Sequence, residues 1–127
     1  MAAAHEALNP IPQVLIRSMA DFDIPAVTQL ELACYPFPWS EGIFRDCVRV
    51  GYICRVAEIG DVIAGYGILS IGAGEAHILN LCVPENLRCR GIGRNLLDHL
   101  VEQARMAGTR EAFLEVRPSN TAAIRLY

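Results

Sequence analysis

The stretch from His77 to Val116 constrains the fold more than any other part of this sequence. It opens on an apolar run, His77 to Val83, passes through R-C-R-G-I-G-R at Arg88 to Arg94, and then places apolar side chains at Ile92, Leu96, Leu97, Leu100, Val101 and Ala104. Steps of three and four set those six on one face of a helix, predicted over Gly91 to Ala107, with Gly108 positioned to end it. Ala112 to Val116 then reads as a strand. A strand, a long helix and a second strand form a crossover unit, in which the strands are parallel and the connection right-handed in nearly all cases. Ligands of open α/β sheets gather at the C-terminal ends of such strands, here Val83 and Val116.

The rest of the chain fills in around that unit. Gln13 to Ser18 reads as a first strand, with Val14 and Ile16 on one face. Asp23 is placed to cap a helix with Pro25 in its first turn and Val27 and Leu30 on its core side. Tyr35-Pro-Phe-Pro-Trp39 breaks that helix, and Ser40 is placed to cap a second one, with Glu41 in its first turn. Tyr52 to Glu58 and Val62 to Ile71 read as an antiparallel pair about Gly60-Asp61, and Gly72 to Glu75 as a turn. Ser119 or Asn120 begins a last helix. Residues 1–12, rich in Ala and Pro without a period, read as a loose tail; residues 13–127 read as one domain.

Charge and composition narrow the chemistry. The formal net charge is −3, with 53% hydrophobic and 20% charged residues, as in a globular chain and not a disordered one. An acidic balance argues against a general nucleic-acid surface. All eleven basic residues are arginine, which removes the P-loop lysine and any Schiff-base chemistry. No apolar run reaches the roughly 18 residues of a membrane span, and no basic-then-apolar leader opens the chain, so the expected location is the cytoplasm. Five cysteines form no C-x-x-C pair, and the three histidines lie in no zinc-like pattern with them. The expectation is therefore reduced thiols and no metal. His77 and His99 are assigned to structure.

Arg88, Arg90 and Arg94 concentrate positive charge in an otherwise acidic chain, around Gly91 and Gly93. Two readings stand side by side: a backbone cradle for a pyrophosphate at a helix start, or a glycine turn with solvated arginines. The dinucleotide fingerprint G-x-G-x-x-G is absent.

Arg88, Gly91 and Gly93 match the pyrophosphate pattern Q/R-x-x-G-x-G/A, and here the chain resembles the GNAT N-acetyltransferase superfamily. The likeness narrows to the bacterial ribosomal-protein alanine N-acetyltransferases (RimI-like) through Y-P-F-P-W-S at Tyr35 to Ser40, N-L-C-V-P at Asn80 to Pro84, and L-E-V-R-P-S-N-T-A-A-I-R-L-Y at Leu114 to Tyr127. The resemblance covers nearly everything after residue 13. It implies an α/β (α+β) fold: a mixed, mostly antiparallel sheet with one parallel pair at the cofactor site and flanking helices. It implies acetyl-CoA as donor and, as acceptor, the N-terminal alanine amine of a small-subunit ribosomal protein. Leu81, Cys82 and Val83 would meet the pantetheine arm through their backbone. Arg88, Cys89, Arg90, Gly91, Ile92, Gly93 and Arg94 would hold the pyrophosphate, with Asn120 a further cofactor contact. Glu115 matches the family's general base and Tyr127 its general acid. Tyr35, Phe37 and Trp39 would lie near the peptide. Pro84 replaces the family's common aspartate. The family continues past the equivalent of Tyr127 through the rest of a helix and two more strands, so a domain truncated at its C-terminus is expected.

Those roles suit the chemistry. A peptide α-amine titrates at about 7.7–8.0, so a single glutamate, acting directly or through water, is base enough at neutral pH. Tyrosine, near pKa 10, stays protonated and can donate to a departing thiolate. Read from the residues alone, Glu115 is first a solvent-facing strand position and Tyr127 first a core aromatic, and the Tyr35 to Trp39 loop is equally a packed corner. Two other functions stay open: acetylation of another peptide or small amine, and coenzyme A binding without catalysis.

Overall fold

The computed structural model describes residues 13–84 and 91–114. Five strands form one sheet in chain order: β1 (Val14–Ser18), β2 (Ile53–Ile59), β3 (Val62–Gly72), β4 (Glu75–Cys82) and β5 (Glu111–Leu114). Strands β1 to β4 pair antiparallel, and β5 joins β4 in parallel. The crossover between them carries helix α3 (Ile92–Met106); helices α1 (Ile24–Cys34) and α2 (Glu41–Arg49) lie between β1 and β2. This is the mixed sheet with one parallel pair expected from the sequence.

The sheet separates two apolar layers. On one face Ile92, Leu96, Leu97, Leu100 and Ala104 of α3 pack with Ala57, Ala64, Leu69, Ala76, Ile78 and Leu81. These α3 positions belong to the stripe that the three-and-four spacing picks out, and a fully buried leucine contributes roughly 2 kcal/mol. On the other face Ile24 and Val27 of α1 and Phe44 and Cys47 of α2 pack with Cys54, Val56, Tyr66, Ile68 and Cys82. Phe44 meets Tyr66 edge to face at 5.5 Å and Trp39 at 5.4 Å.

Local chemistry accounts for most element ends. The Ser40 hydroxyl accepts from the Ile43 N–H at 3.3 Å, so α2 is capped as the sequence predicts. Asp23 behaves differently. Its carboxylate is taken by the Arg17 guanidinium through two bonds of 2.7 and 2.9 Å and by the Ala20 N–H at 2.8 Å, and it makes no cap bond to α1. A two-bonded, charge-assisted pair from the adjacent strand outcompetes a neutral helix N–H. Arg17 also reaches Glu58 on β2 at 3.1 Å, tying β1, β2 and the entry to α1 together.

One irregularity matters for the site. Along β4, Ile78 pairs with Leu69 but Asn80 pairs with Ile68, leaving Leu79 as an extra residue. Such a bulge reverses which face the following side chains take. Ala76 and Ile78 face α3, whereas Asn80 and Cys82 turn toward α1 and Leu81 toward α3.

Candidate functional site around the end of β4

Beyond the bulge, β4 ends beside the C-terminus of α1 and the loop that follows it. Glu31, in the third turn of α1, is completely buried. One of its carboxylate oxygens accepts from the Tyr66 hydroxyl and from Asn80 Nδ2 at 2.9 Å; the other accepts from the Trp39 N–H at 2.8 Å. A buried acidic group is tolerated only when its oxygens are satisfied this way. Here the same carboxylate fixes three pieces of chain to one another: β3, the bulged end of β4, and the Tyr35 to Trp39 loop. Burial, with the neighbouring Cys82 and Glu31 adding to it, pushes the Tyr66 hydroxyl pKa well above its ordinary value, so Tyr66 is a donor at every physiological pH.

Sequence reasoning passed over Glu31 and Asn80. A signal was present: Ile24, Val27 and Glu31 follow one another at steps of three and four, all buried. An acidic residue on the apolar stripe of a helix is a buried polar contact in waiting.

The aromatic loop divides into inner and outer parts. Tyr35 is 7% exposed, and its hydroxyl donates to the Leu81 carbonyl at 2.8 Å. Tyr35 therefore braces the strand expected to meet the pantetheine. Trp39 is half-buried against Phe44, whereas Phe37 is 86% exposed. Of the three residues expected near the acceptor, Phe37 is the one whose ring stands in solvent.

Helix α3 starts within the Arg88 to Arg94 run. Gly91 precedes it at φ +80°, the left-handed region, and a Cβ there would meet nothing within 4 Å among the described residues. The Asn95 N–H bonds the Gly91 carbonyl, so the N–H groups of Ile92, Gly93 and Arg94 lie in the first turn, where no helical carbonyl serves them. No acidic residue occupies that turn, and Arg94 is exposed. The Ile92 side chain, by contrast, is buried under the sheet and anchors the helix start. Such a terminus, positive at its end, suits a phosphate. Val83 is half-buried at the end of β4, with Gly65 of β3 close to both Val83 and the Cys82 carbonyl. Arg88, Cys89, Arg90, Glu115, Asn120 and Tyr127 lie outside the described residues.

Among the described residues no group of three or more His, Cys, Asp or Glu side chains is placed to hold a metal ion, and no helix is long and apolar enough to cross a membrane. His77 stacks on Phe113 at 5.1 Å, bridging β4 and β5. His99 accepts from Arg55 Nε at 3.1 Å, and burial, with the Arg55 charge second, lowers its pKa. Both histidines hold the structure together.

Residues 24–127 match the acetyltransferase (GNAT) family. The chain is 36% identical over 112 residues to the [ribosomal protein bS18]-alanine N-acetyltransferase of Salmonella typhimurium, covering 88% of this chain and 76% of that one. The crystal structure of the ribosomal-protein-S18-alanine N-acetyltransferase from Escherichia coli superposes with a TM-score of 0.81 at 33% identity, over 91% of this chain and 74% of that one. The PaiA N-acetyltransferase from Thermoplasma acidophilum, in complex with coenzyme A, shares the fold with a TM-score of 0.72 at 18% identity, over 91% and 86% of the two chains.

Proposed function

This chain belongs to the acetyltransferase (GNAT) family, an acyl-CoA-dependent N-acetyltransferase, and we propose that it moves an acetyl group from acetyl-CoA onto the N-terminal alanine amine of a small-subunit ribosomal protein. The observation that carries the acceptor is the 36% identity, over 88% of the chain, to an enzyme named for that reaction. The N-terminus of a ribosomal protein is a cytoplasmic acceptor, which agrees with the location expected from the sequence.

The donor is assigned to the end of β4 and the start of α3. The N–H groups of Ile92, Gly93 and Arg94, with the Arg94 guanidinium, take the pyrophosphate, joined by Arg88, Cys89 and Arg90. The backbone of Leu81 to Val83 takes the pantetheine arm and supplies a donor to the oxyanion; one such donor is typically worth about 3 kcal/mol. The strand is braced for this by Tyr35 on Leu81 and by Glu31 on Asn80. Asn120 adds a cofactor contact.

Glu115 removes the proton from the attacking amine. The amine nitrogen bonds to the thioester carbonyl carbon, the C–S bond breaks, and the thiolate takes a proton from Tyr127. Phe37 and Trp39 flank the acceptor peptide.

The test pairs calorimetry with product analysis. Acetyl-CoA should bind, and Arg94→Ala together with Arg88→Ala and Arg90→Ala should weaken it strongly. A peptide beginning with Ala should gain one acetyl at its α-amine, the same peptide with a blocked N-terminus none, and Glu115→Gln should slow turnover by roughly a hundredfold or more. Binding with product only on a small amine or a lysine side chain would overturn the acceptor. Binding with no product on any acceptor would leave a coenzyme A-binding module. No binding by the folded chain would overturn the site.

A further inference from the structure

The last residue of α1 and the last residue of β4 are both cysteines, and their sulfurs lie 2.7 Å apart. A covalent S–S bond is about 2.05 Å. Two thiols held this close by separate elements require hardly any backbone movement to join. The elements are fixed independently on either side of the pair. Tyr35, the residue after Cys34, bonds the carbonyl of Leu81, the residue before Cys82, and Glu31, one turn back on α1, bonds Asn80. Cys82 is buried and Cys34 is partly exposed, so an oxidant from solution reaches one sulfur while the other waits behind it. The Cys47 and Cys54 thiols are also buried.

We propose that Cys34 and Cys82 are a covalent modification site, oxidised by a peroxide to an intramolecular disulfide that staples the C-terminus of α1 to the end of β4. The Cys34 thiol gives up its proton, the thiolate attacks the peroxide O–O bond, and the hydroxide that leaves takes up that proton, giving a Cys34 sulfenic acid and one water. Cys82 then attacks the Cys34 sulfur; the S–S bond forms, the S–O bond breaks, and a second water leaves. Two thiols lose two hydrogens in total, and the peroxide is reduced to two waters. Cys34, the more exposed sulfur, reacts first, and Cys82, whose thiol is pushed far up by its bond with Cys34 and then by burial, is the resolving partner. The step depends only on this geometry, not on which amine the chain acetylates. Its consequence falls on the site nonetheless, because Cys82 lies in the strand assigned to the donor and Cys34 borders the loop that carries Phe37.

The full-length chain is treated with hydrogen peroxide, the remaining thiols are alkylated, and intact mass and peptide maps are read. The expected result is loss of two hydrogens, three alkylatable cysteines left of the five in the sequence, and one cross-linked peptide joining Cys34 to Cys82. Melting should rise by roughly 10 °C and fall back with dithiothreitol, as for a link closing a long loop. Cys82→Ala should leave Cys34 to gain oxygen atoms instead. Cys34→Ser, altered at the more exposed position, should show neither the cross-link nor the rise. Five alkylatable thiols after treatment, a link between other cysteines, or oxygen added to Cys34 in the unaltered chain with no cross-link would overturn the proposal.

Discussion

Replacing Glu31 by Leu removes the one acceptor that three donors share. The Trp39 N–H, the Asn80 amide and the Tyr66 hydroxyl all end on the two oxygens of this fully buried side chain. An orphaned buried donor costs about 1–3 kcal/mol, more when its acceptor was charged. Two effects reduce the sum. The Tyr66 hydroxyl can rotate, and leucine no longer carries the desolvation cost of a buried carboxylate. Taking the lower half of the range for each donor gives a loss of about 4 kcal/mol. For a chain of 127 residues, an unfolding entropy of roughly 2.1 cal/mol/K per residue turns this into a fall of about 15 °C in melting temperature. Glu31→Gln keeps the shape and one carbonyl, and the Asn80 amide can flip to meet the new NH2. Its cost should be about 1–2 kcal/mol. Urea titrations of both variants, read by far-UV dichroism and fluorescence, measure the pair. A Leu variant within about 1 kcal/mol of the parent would refute the reasoning, because the carboxylate's desolvation would then cancel its bonds. So would a Gln variant as unstable as the Leu one.

Three further outcomes follow from local geometry. At Gly65 a Cβ would sit 2.9 Å from the Cys82 carbonyl oxygen, whereas at Gly67 its close contact would be with a side-chain end, Leu100 Cδ1 at 2.7 Å. Gly65→Ala should therefore cost about 2–3 kcal/mol and weaken acetyl-CoA binding, and Gly67→Ala should cost clearly less; calorimetry and melting of the two variants decide it. Stability should fall as pH drops below about 6.5, because burial and Arg55 lower the His99 pKa, so the unfolded chain takes up that proton first. His99→Gln should flatten that part of a melting-against-pH curve, while the loss through Asp23, whose pKa the Arg17 bonds hold below the carboxylate range, begins only at more acid pH. Phe37→Ala should leave the melting temperature unchanged, since the ring is 86% exposed, but raise the acceptor-peptide KM several-fold in a steady-state assay.

The parts of the fold legible in the sequence are those whose signal is local. Helix α3 declares itself because its apolar stripe repeats over four turns, and the Ser40 cap because the N–H that its hydroxyl accepts from is three residues away. Asp23 was misread for the opposite reason. Its competitor, Arg17, lies outside the helix, and nothing at Asp23 itself distinguishes a helix cap from a salt bridge. Tyr35 was placed near the acceptor by motif, yet its hydroxyl is committed to Leu81, 46 positions on. Glu31 was invisible because its partners come from two strands and a loop, although its position on the buried stripe could have raised the question.

The bulge at Leu79 joins these non-local pieces. Strict alternation along β4 would carry Asn80 onto the face of Ala76 and Ile78, against Leu97 and Leu100, where its amide would find no acceptor. It would also send Leu81 toward Glu31, leaving that carboxylate short of a donor. One inserted residue reverses both. Asn80 then meets Glu31, Leu81 returns to the α3 layer, and Cys82 arrives beside Cys34 and beneath Tyr66. The described pairing of β4 with β5 ends at Ile78 and Leu114, on the near side of the same point. Up to Ile78 the strand serves the core. From Asn80 onward its polar side chain and backbone carbonyl are held by α1 and the aromatic loop, which is what a strand requires if it is to offer its end to a ligand rather than to another strand.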